Sequence, residues 1–174
     1  MNSRTKATSA LKPVTSDKKI FSRASLKKKR RAWKKSGLKV GFTNGCFDLL
    51  HKGHVTYLQK ARGKVDRLIV GINSDDSVRQ LNKGPNRPIN CEGDRAFVLA
   101  GLTCVDAVVI FSEKTALGCL QSFNPDVFFK GGDYTLKTLD QGEVSHVQSY
   151  GGRITLIPMV AGRSTTLIIK KMKP

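Results

Sequence analysis

Two histidines three residues apart, His51 and His54, straddle Gly53 in the segment Thr43-Asn44-Gly45-Cys46-Phe47-Asp48-Leu49-Leu50-His51-Lys52-Gly53-His54. The segment follows a short β-branched and aromatic run and leads into a helical pattern. At a helix start this spacing lets both rings aim at one point. The intervening Gly lets a bulky anion approach the backbone, and the unpaired N–H groups of the first turn favour a phosphate. The combination is an anion site with two tunable donors. A structural pair and a metal pair are the alternatives. Helical zinc sites use His at i and i+4 with a Glu between them, which is absent, and the remaining His146 is isolated in sequence, so no residue is assigned as a metal ligand.

The elements that must position these residues alternate along the chain. Runs at residues 39–43, 67–73, 107–111, 126–130 and 153–158 are rich in β-branched or aromatic side chains and bounded by Gly, Pro, Asn or Asp, so they read as strands. Helical stretches lie between or after them at about 54–63, 75–81, 91–102, 114–122 and 165–172. Such alternation predicts an α/β fold with a doubly wound, Rossmann-like parallel sheet, in which ligands bind beyond the carboxyl ends of the strands. Upstream, Ser22 can cap a helix running to about Lys35, with Leu26 and Trp33 on one face, residues 27–31 on the wet side and Gly37 as the stop. Residues 1–19 lack hydrophobic periodicity and are expected to be a disordered basic tail. The expected organisation is therefore a tail at 1–19, a helix at 20–36 and one catalytic domain at 37–174.

Composition narrows the class. The 174 residues suffice for one domain with a tail, and a hydrophobic content of 39% supports a real core. Net charge is +18, yet residues 1–36 hold thirteen Lys and Arg against the single acid Asp17, so the remainder carries only +6. A basic head can meet anionic surfaces. No aromatic residues interleave with the charges of residues 27–31, so a solvated helix face is the favoured reading and a nucleic-acid partner is not expected. Nine Ser and Thr in residues 1–36 leave an organelle transit segment open, although an Arg-rich amphipathic start is missing. Apolar runs such as residues 107–111 are far short of the ~20 residues of a membrane-spanning helix. Cys46, Cys91, Cys104 and Cys119 contain no Cys-x-x-Cys pair and read as reduced thiols of a cytoplasmic protein.

Taken together, Thr43-x-Gly45-x-Phe47-Asp48-x-x-His51-x-Gly53-His54 resembles the signature of the His-x-Gly-His nucleotidylyltransferase superfamily. Asn73-Ser74-Asp75, Arg87-Pro88-Ile89, Asp94-Arg95, Lys130-Gly131-Gly132-Asp133-Tyr134 and Gly162-Arg163-Ser164-Thr165-Thr166 extend the likeness over about residues 38–172, and resemble the adenylyltransferase domain that makes ADP-heptose for bacterial lipopolysaccharide cores. The resemblance implies transfer of AMP from ATP to D-glycero-β-D-manno-heptose 1-phosphate, with Mg2+ accompanying the ATP. Related cytidylyltransferases for small alcohol phosphates share the first motif. They carry an Arg where this chain has Met159-Val160-Ala161 and lack the Lys130–Tyr134 block, which favours ATP. The domain often follows a sugar kinase, for which 174 residues leave no room, so a stand-alone enzyme is expected, and paired subunits are a family-level expectation.

The same resemblance implies roles. His51 and His54 would hold α- and β-phosphate oxygens, and Thr43 would bond the α-phosphate or the attacking phosphate. Ser164, Thr165 and Thr166 at a helix start would receive the β- and γ-phosphates. Lys83 and Arg95 are long cations that could close over the triphosphate or the sugar phosphate, although each alone reads as a surface charge. Asn44, Gly45, Cys46, Phe47, Asp48 and Gly53 line the phosphate loop, with Asp48 also readable as a helix cap and Cys46 as a small packing residue. Asn73 and Asp75 follow the second strand. Lys130, Gly131, Gly132, Asp133 and Tyr134 would face the nucleotide, although a Gly-Gly turn needs no function.

Overall fold

The computed structural model describes residues 15–81, 84, 86–132, 134–160 and 162–172. Five strands, β1 (Val40–Gly45), β2 (Arg67–Asn73), β3 (Ala107–Phe111), β4 (Val127–Gly131) and β5 (Arg153–Ile157), form one all-parallel sheet in the order β3-β2-β1-β4-β5. The helices are α1 (Arg23–Lys35), α2 (Lys52–Arg62), α3 (Asp75–Gln80), α4 (Glu92–Ala100), α5 (Leu117–Phe123), α6 (Gln141–Ser149) and α7 (Thr165–Met172). The strand order reverses between β1 and β4, the point at which doubly wound sheets open a crevice at their carboxyl edge. Two apolar layers cover the faces. One joins Leu58 and Ala61 of α2 and Leu99 of α4 to Leu68, Val70 and Phe129, and the other joins Leu26, Trp33, Leu120, Phe123 and Val147 to Val40, Phe42, Ile69 and Phe128. Strands β1 to β4 are buried along most of their length and read as largely apolar runs rather than alternating, while the edge strand β5 is mostly exposed or half-buried. Among the described residues no helix is long and apolar enough to cross a membrane.

Aspartates fix the amino edge of this sheet. Asp66, Asp106 and Asp126 each stand just before a strand, and each carboxylate accepts a backbone N–H at the start of the neighbouring strand: Lys39 at 2.8 Å, Leu68 at 2.9 Å and Val40 at 2.7 Å. These N–H groups lie outside the regular ladder and would otherwise need water. With the amino edge stitched, the opposite edge is left to carry loops.

Three features depart from the sequence expectation. The expected wet side of α1 contains Arg30, which is 3% exposed and donates to the Asn124 carbonyl at 3.0 Å and the Asp126 carboxylate at 3.1 Å. Its long stem lies along the apolar layer while the head reaches a carboxylate that the run of basic residues gives no hint of. Within the expected tail, Ser16–Lys19 forms a 3-10 turn, and Lys19 donates to the Leu102 carbonyl at 3.1 Å. Ile20 then bridges to Val108 beside β3. Residues 1–14 lie outside the described residues. Helix α6 has no counterpart in the sequence reading. Its buried residues are only Glu143, Val144 and Val147, too sparse a stripe to stand out. The legible signal was Asp140 three residues before Glu143, since Asp140 Oδ1 accepts from the Glu143 N–H at 2.9 Å as a helix cap does.

Asp126→Ala removes the acceptor from both Val40 and Arg30 and is expected to cost about 2 kcal/mol, the half-exposed carboxylate keeping the loss moderate. Urea unfolding checks this, and an unchanged midpoint would contradict it.

Candidate active site

The loop after β1 sets the geometry. Phe47 takes the left-handed backbone (φ 47°), which costs a bulky residue about 1–3 kcal/mol, and turns its ring edge-on to His54 with centroids 5.1 Å apart. Gly45 makes that possible, since a Cβ there would lie 3.0 Å from the Phe47 ring. His51 occupies the N-cap of α2, where Nδ1 accepts from the Gly53 N–H at 3.1 Å. Its ring stacks on His54 at 3.8 Å between centroids with 24° between planes. The sequence assigned the space at Gly53 to an approaching anion. The structure instead fills it with the His51 ring, 2.9 Å from where a Cβ would stand, and with Arg163 Cβ at 3.3 Å.

His51 is held below the ordinary histidine range, first by partial burial and then by the Arg163 charge. Because Nδ1 accepts a backbone hydrogen bond, the neutral ring carries its proton on Nε2, a tautomer inferred from that bond. The lowered midpoint favours the neutral ring, whose free donor is then Nε2–H.

Phe47 and His54 border a cavity of about 700 Å³ at the carboxyl edge, a volume that suits a nucleotide-sized ligand, while His51 stands behind His54 and, like Gly53, is not among the residues that line it. Of the expected residues, Asn44, Gly45, Cys46, Phe47, Asp48, His54, Asn73, Lys130, Gly131, Tyr134, Thr165 and Thr166 line it. Others stand behind the wall. Thr43 is 1% exposed and shares a 2.7 Å hydrogen bond with the Tyr57 hydroxyl, so Tyr57 rather than Thr43 faces the cavity. Burial drives the Tyr57 phenol far up, keeping it protonated. Ser164 Oγ accepts from the Leu167 N–H at 3.2 Å and opens α7, while Thr165 donates to the Leu49 carbonyl at 3.4 Å, tying α7 to the loop before α2. Through His54 and through Thr165 and Thr166, the first turns of α2 and α7 both meet the cavity wall, each bringing the positive end of a helix dipole.

The cations depart from expectation. Arg95 is not a closing arm. It is 2% exposed, and its donors go to the Asn90 carbonyl at 3.0 Å, the Cys46 carbonyl at 2.6 Å and Asp75 Oδ1 at 2.7 Å, which also occupies Asp75. Arg87, quoted in the sequence motif without a role, lines the cavity and pairs with the buried Asp48 carboxylate. Asp48 accepts further from the N–H groups of Ile89 at 2.8 Å and Asn90 at 3.0 Å, so it clamps the loop before α4, and His51 takes the capping position. Lys83 and Asp133 lie outside the described residues. Tyr57, Lys114, Thr115 and Glu143 line the cavity without having been anticipated, because no motif marks them and only the fold brings them together. Among the described residues no group of three or more His, Cys, Asp or Glu is placed to hold a metal ion.

Residues 42–171, most of the chain, match the cytidylyltransferase-like family. The chain belongs to this family and is a nucleotidyltransferase. It is 50% identical over 92% of its length to the bifunctional protein HldE of Mesorhizobium japonicum, and 52% identical over 80% to that of Hyphomonas neptunium. It spans about a third of the length of these curated relatives, 32% and 28%. A lipopolysaccharide core biosynthesis protein from Thermoplasma volcanium superposes with a TM-score of 0.59 at 26% identity, over 71% of this chain and 98% of that one. A pantoate-beta-alanine ligase from Francisella tularensis shares the fold, with a TM-score of 0.55 at 16% identity, over 88% of this chain and 73% of that one.

Replacing Arg163 with Gln is expected to raise the titration midpoint of His51 by removing the nearby charge while leaving its burial in place. Histidine-resolved NMR titration measures this, and a midpoint that stays or falls would contradict the assignment.

Proposed function

We propose that the chain transfers AMP from ATP to a sugar 1-phosphate, with D-glycero-β-D-manno-heptose 1-phosphate as the acceptor, giving ADP-heptose and pyrophosphate. One observation carries the reading. The first turn of α2, whose His54 is stacked on His51, and the first turn of α7 open onto a single cavity at the switch point of a parallel sheet. The half-identical HldE relatives and the Lys130-Gly131-Gly132 block support this nucleotide and acceptor over CTP and a small alcohol phosphate.

The reaction is one displacement. An oxygen of the sugar phosphate attacks the α-phosphorus, the α–β anhydride bond breaks, and the electron pair leaves on pyrophosphate. No side-chain nucleophile is required, so the residues work by position and by charge neutralisation. In this reading His54 and the Nε2–H of His51 hold α- and β-phosphate oxygens as negative charge moves toward the leaving group. Thr165 and Thr166, with the first N–H groups of α7, hold the β- and γ-phosphates. Tyr57, kept protonated and braced by Thr43, offers a further donor. Arg87 and Lys114 supply positive charge from the opposite loops, and Asp48 keeps Arg87 in place. Mg2+ accompanying the ATP would add neutralisation of the triphosphate charge.

Pyrophosphate release by the purified protein, with ATP or CTP against heptose 1-phosphate or glycerol 3-phosphate, tests the reading. Release with ATP and the heptose phosphate alone is expected, and release with CTP would overturn the nucleotide assignment. In the same assay His51→Ala or His54→Ala should lower turnover by at least about 100-fold with the fold intact. Turnover within a few-fold of the parent would remove that histidine from the mechanism.

A further inference from the structure

The first turn of α6 brings a carboxylate to the cavity wall that nothing above has used. Glu143 is 2% exposed. Its Oε1 accepts from the Ala116 N–H at 2.8 Å, just ahead of α5, and its Oε2 lies 2.8 Å from Lys130 Nζ at the end of β4. The Lys130 ammonium also stands 4.8 Å from the centroid of the Phe128 ring. Both side chains border the cavity. Capping α6 does not require this charge, because Asp140 already accepts the first-turn N–H. Burying a carboxylate is costly unless it is paired, and here the pairing fixes one lysine.

The pair also determines what that lysine can recognise. An ammonium compensated by a carboxylate 2.8 Å away attracts a phosphate dianion weakly, while its remaining protons still donate to a neutral oxygen. The adjoining wall is partly apolar: the Tyr57 ring and Met159 Sδ cover Gly131, where a Cβ would stand 2.8 Å and 3.1 Å from them, and both side chains line the cavity. Such a wall with one charge-compensated donor fits the face of a sugar ring.

We propose that Lys130 donates to a ring hydroxyl of a sugar bound in the cavity, and that Glu143 is the positioning residue that sets it there. The hydroxyl belongs to the ribose of the nucleotide or to the acceptor sugar, and the inference rests on the nucleotidyl-transfer reading of this cavity.

Calorimetric titration tests it, with ATP, 2′-deoxy-ATP, 3′-deoxy-ATP and heptose 1-phosphate each added alone to the parent protein, Glu143→Gln, Lys130→Met and the double variant. Glu143→Gln keeps an acceptor for the Ala116 N–H, and the double variant leaves no buried charge unpaired. Affinity for one class of ligand should fall about tenfold in each single variant and no further in the double. With ribose as the source, the parent prefers ATP to one of the deoxynucleotides and both single variants lose that preference. With the acceptor as the source, heptose 1-phosphate weakens while ATP is unchanged. Affinities within twofold of the parent for every ligand, or losses that multiply in the double variant, would overturn the proposal. A parent protein that binds with this pattern but gives no turnover would instead overturn the assigned reaction.

Discussion

Arg95 carries a full positive charge into a position only 2% exposed, and the groups that compensate it come from three separate segments. They are the Cys46 carbonyl in the loop after β1, the Asp75 carboxylate in the first turn of α3 and the Asn90 carbonyl just before α4. A planar guanidinium can serve three directions at once, which the single ammonium of a lysine cannot do in the same plane. Because a buried charge left without these partners is costly, the three segments are constrained together. The strained Phe47 backbone one residue beyond Cys46, the edge contact of Phe47 with His54 and the stacking of His54 on His51 all depend on that constraint.

From this anchor the chemistry reads as division of labour. Buried ion pairs Arg87–Asp48 and Lys130–Glu143 place cations on the cavity wall while cancelling much of their charge. Beside the Lys114 ammonium on the cavity wall, the donors proposed for phosphate are neutral or dipolar: the His51 ring held below its ordinary titration range behind His54, the protonated Tyr57 phenol and the first turns of α2 and α7. Donors fixed by the fold need little reorganisation when charge moves onto a leaving pyrophosphate.

The sequence made the sheet legible because parallel strands buried on both faces are short apolar runs, and β2 and β3 have the predicted bounds. The Ser22 cap and the start of α7 were legible through local side-chain chemistry, since each cap acts within three residues. What depended on distant partners was not. Arg30 looks like its basic neighbours until Asp126, 96 residues away, is brought beside it. Arg95 looks like a substrate-binding arm until Cys46 and Asp75 consume its donors. Tyr57 and Glu143 sit on helices whose own patterns give no reason to favour them, and α6 was hidden because its inward face includes a charged residue that only Lys130 and the Ala116 N–H explain. Gly53 was recognised as necessary, but the occupant of its space is the protein's own His51 ring.

The central claim is that this cavity promotes a single direct displacement at phosphorus, with no residue forming a covalent bond to the nucleotide. The stereochemical course at the α-phosphorus tests it most directly, using ATP made chiral there by sulfur substitution and analysing the configuration of the nucleotide-sugar product. One in-line displacement predicts inversion. Retention would require two displacements and hence a covalent nucleotidyl intermediate on a side chain such as a cavity histidine or Cys46, and would contradict the account.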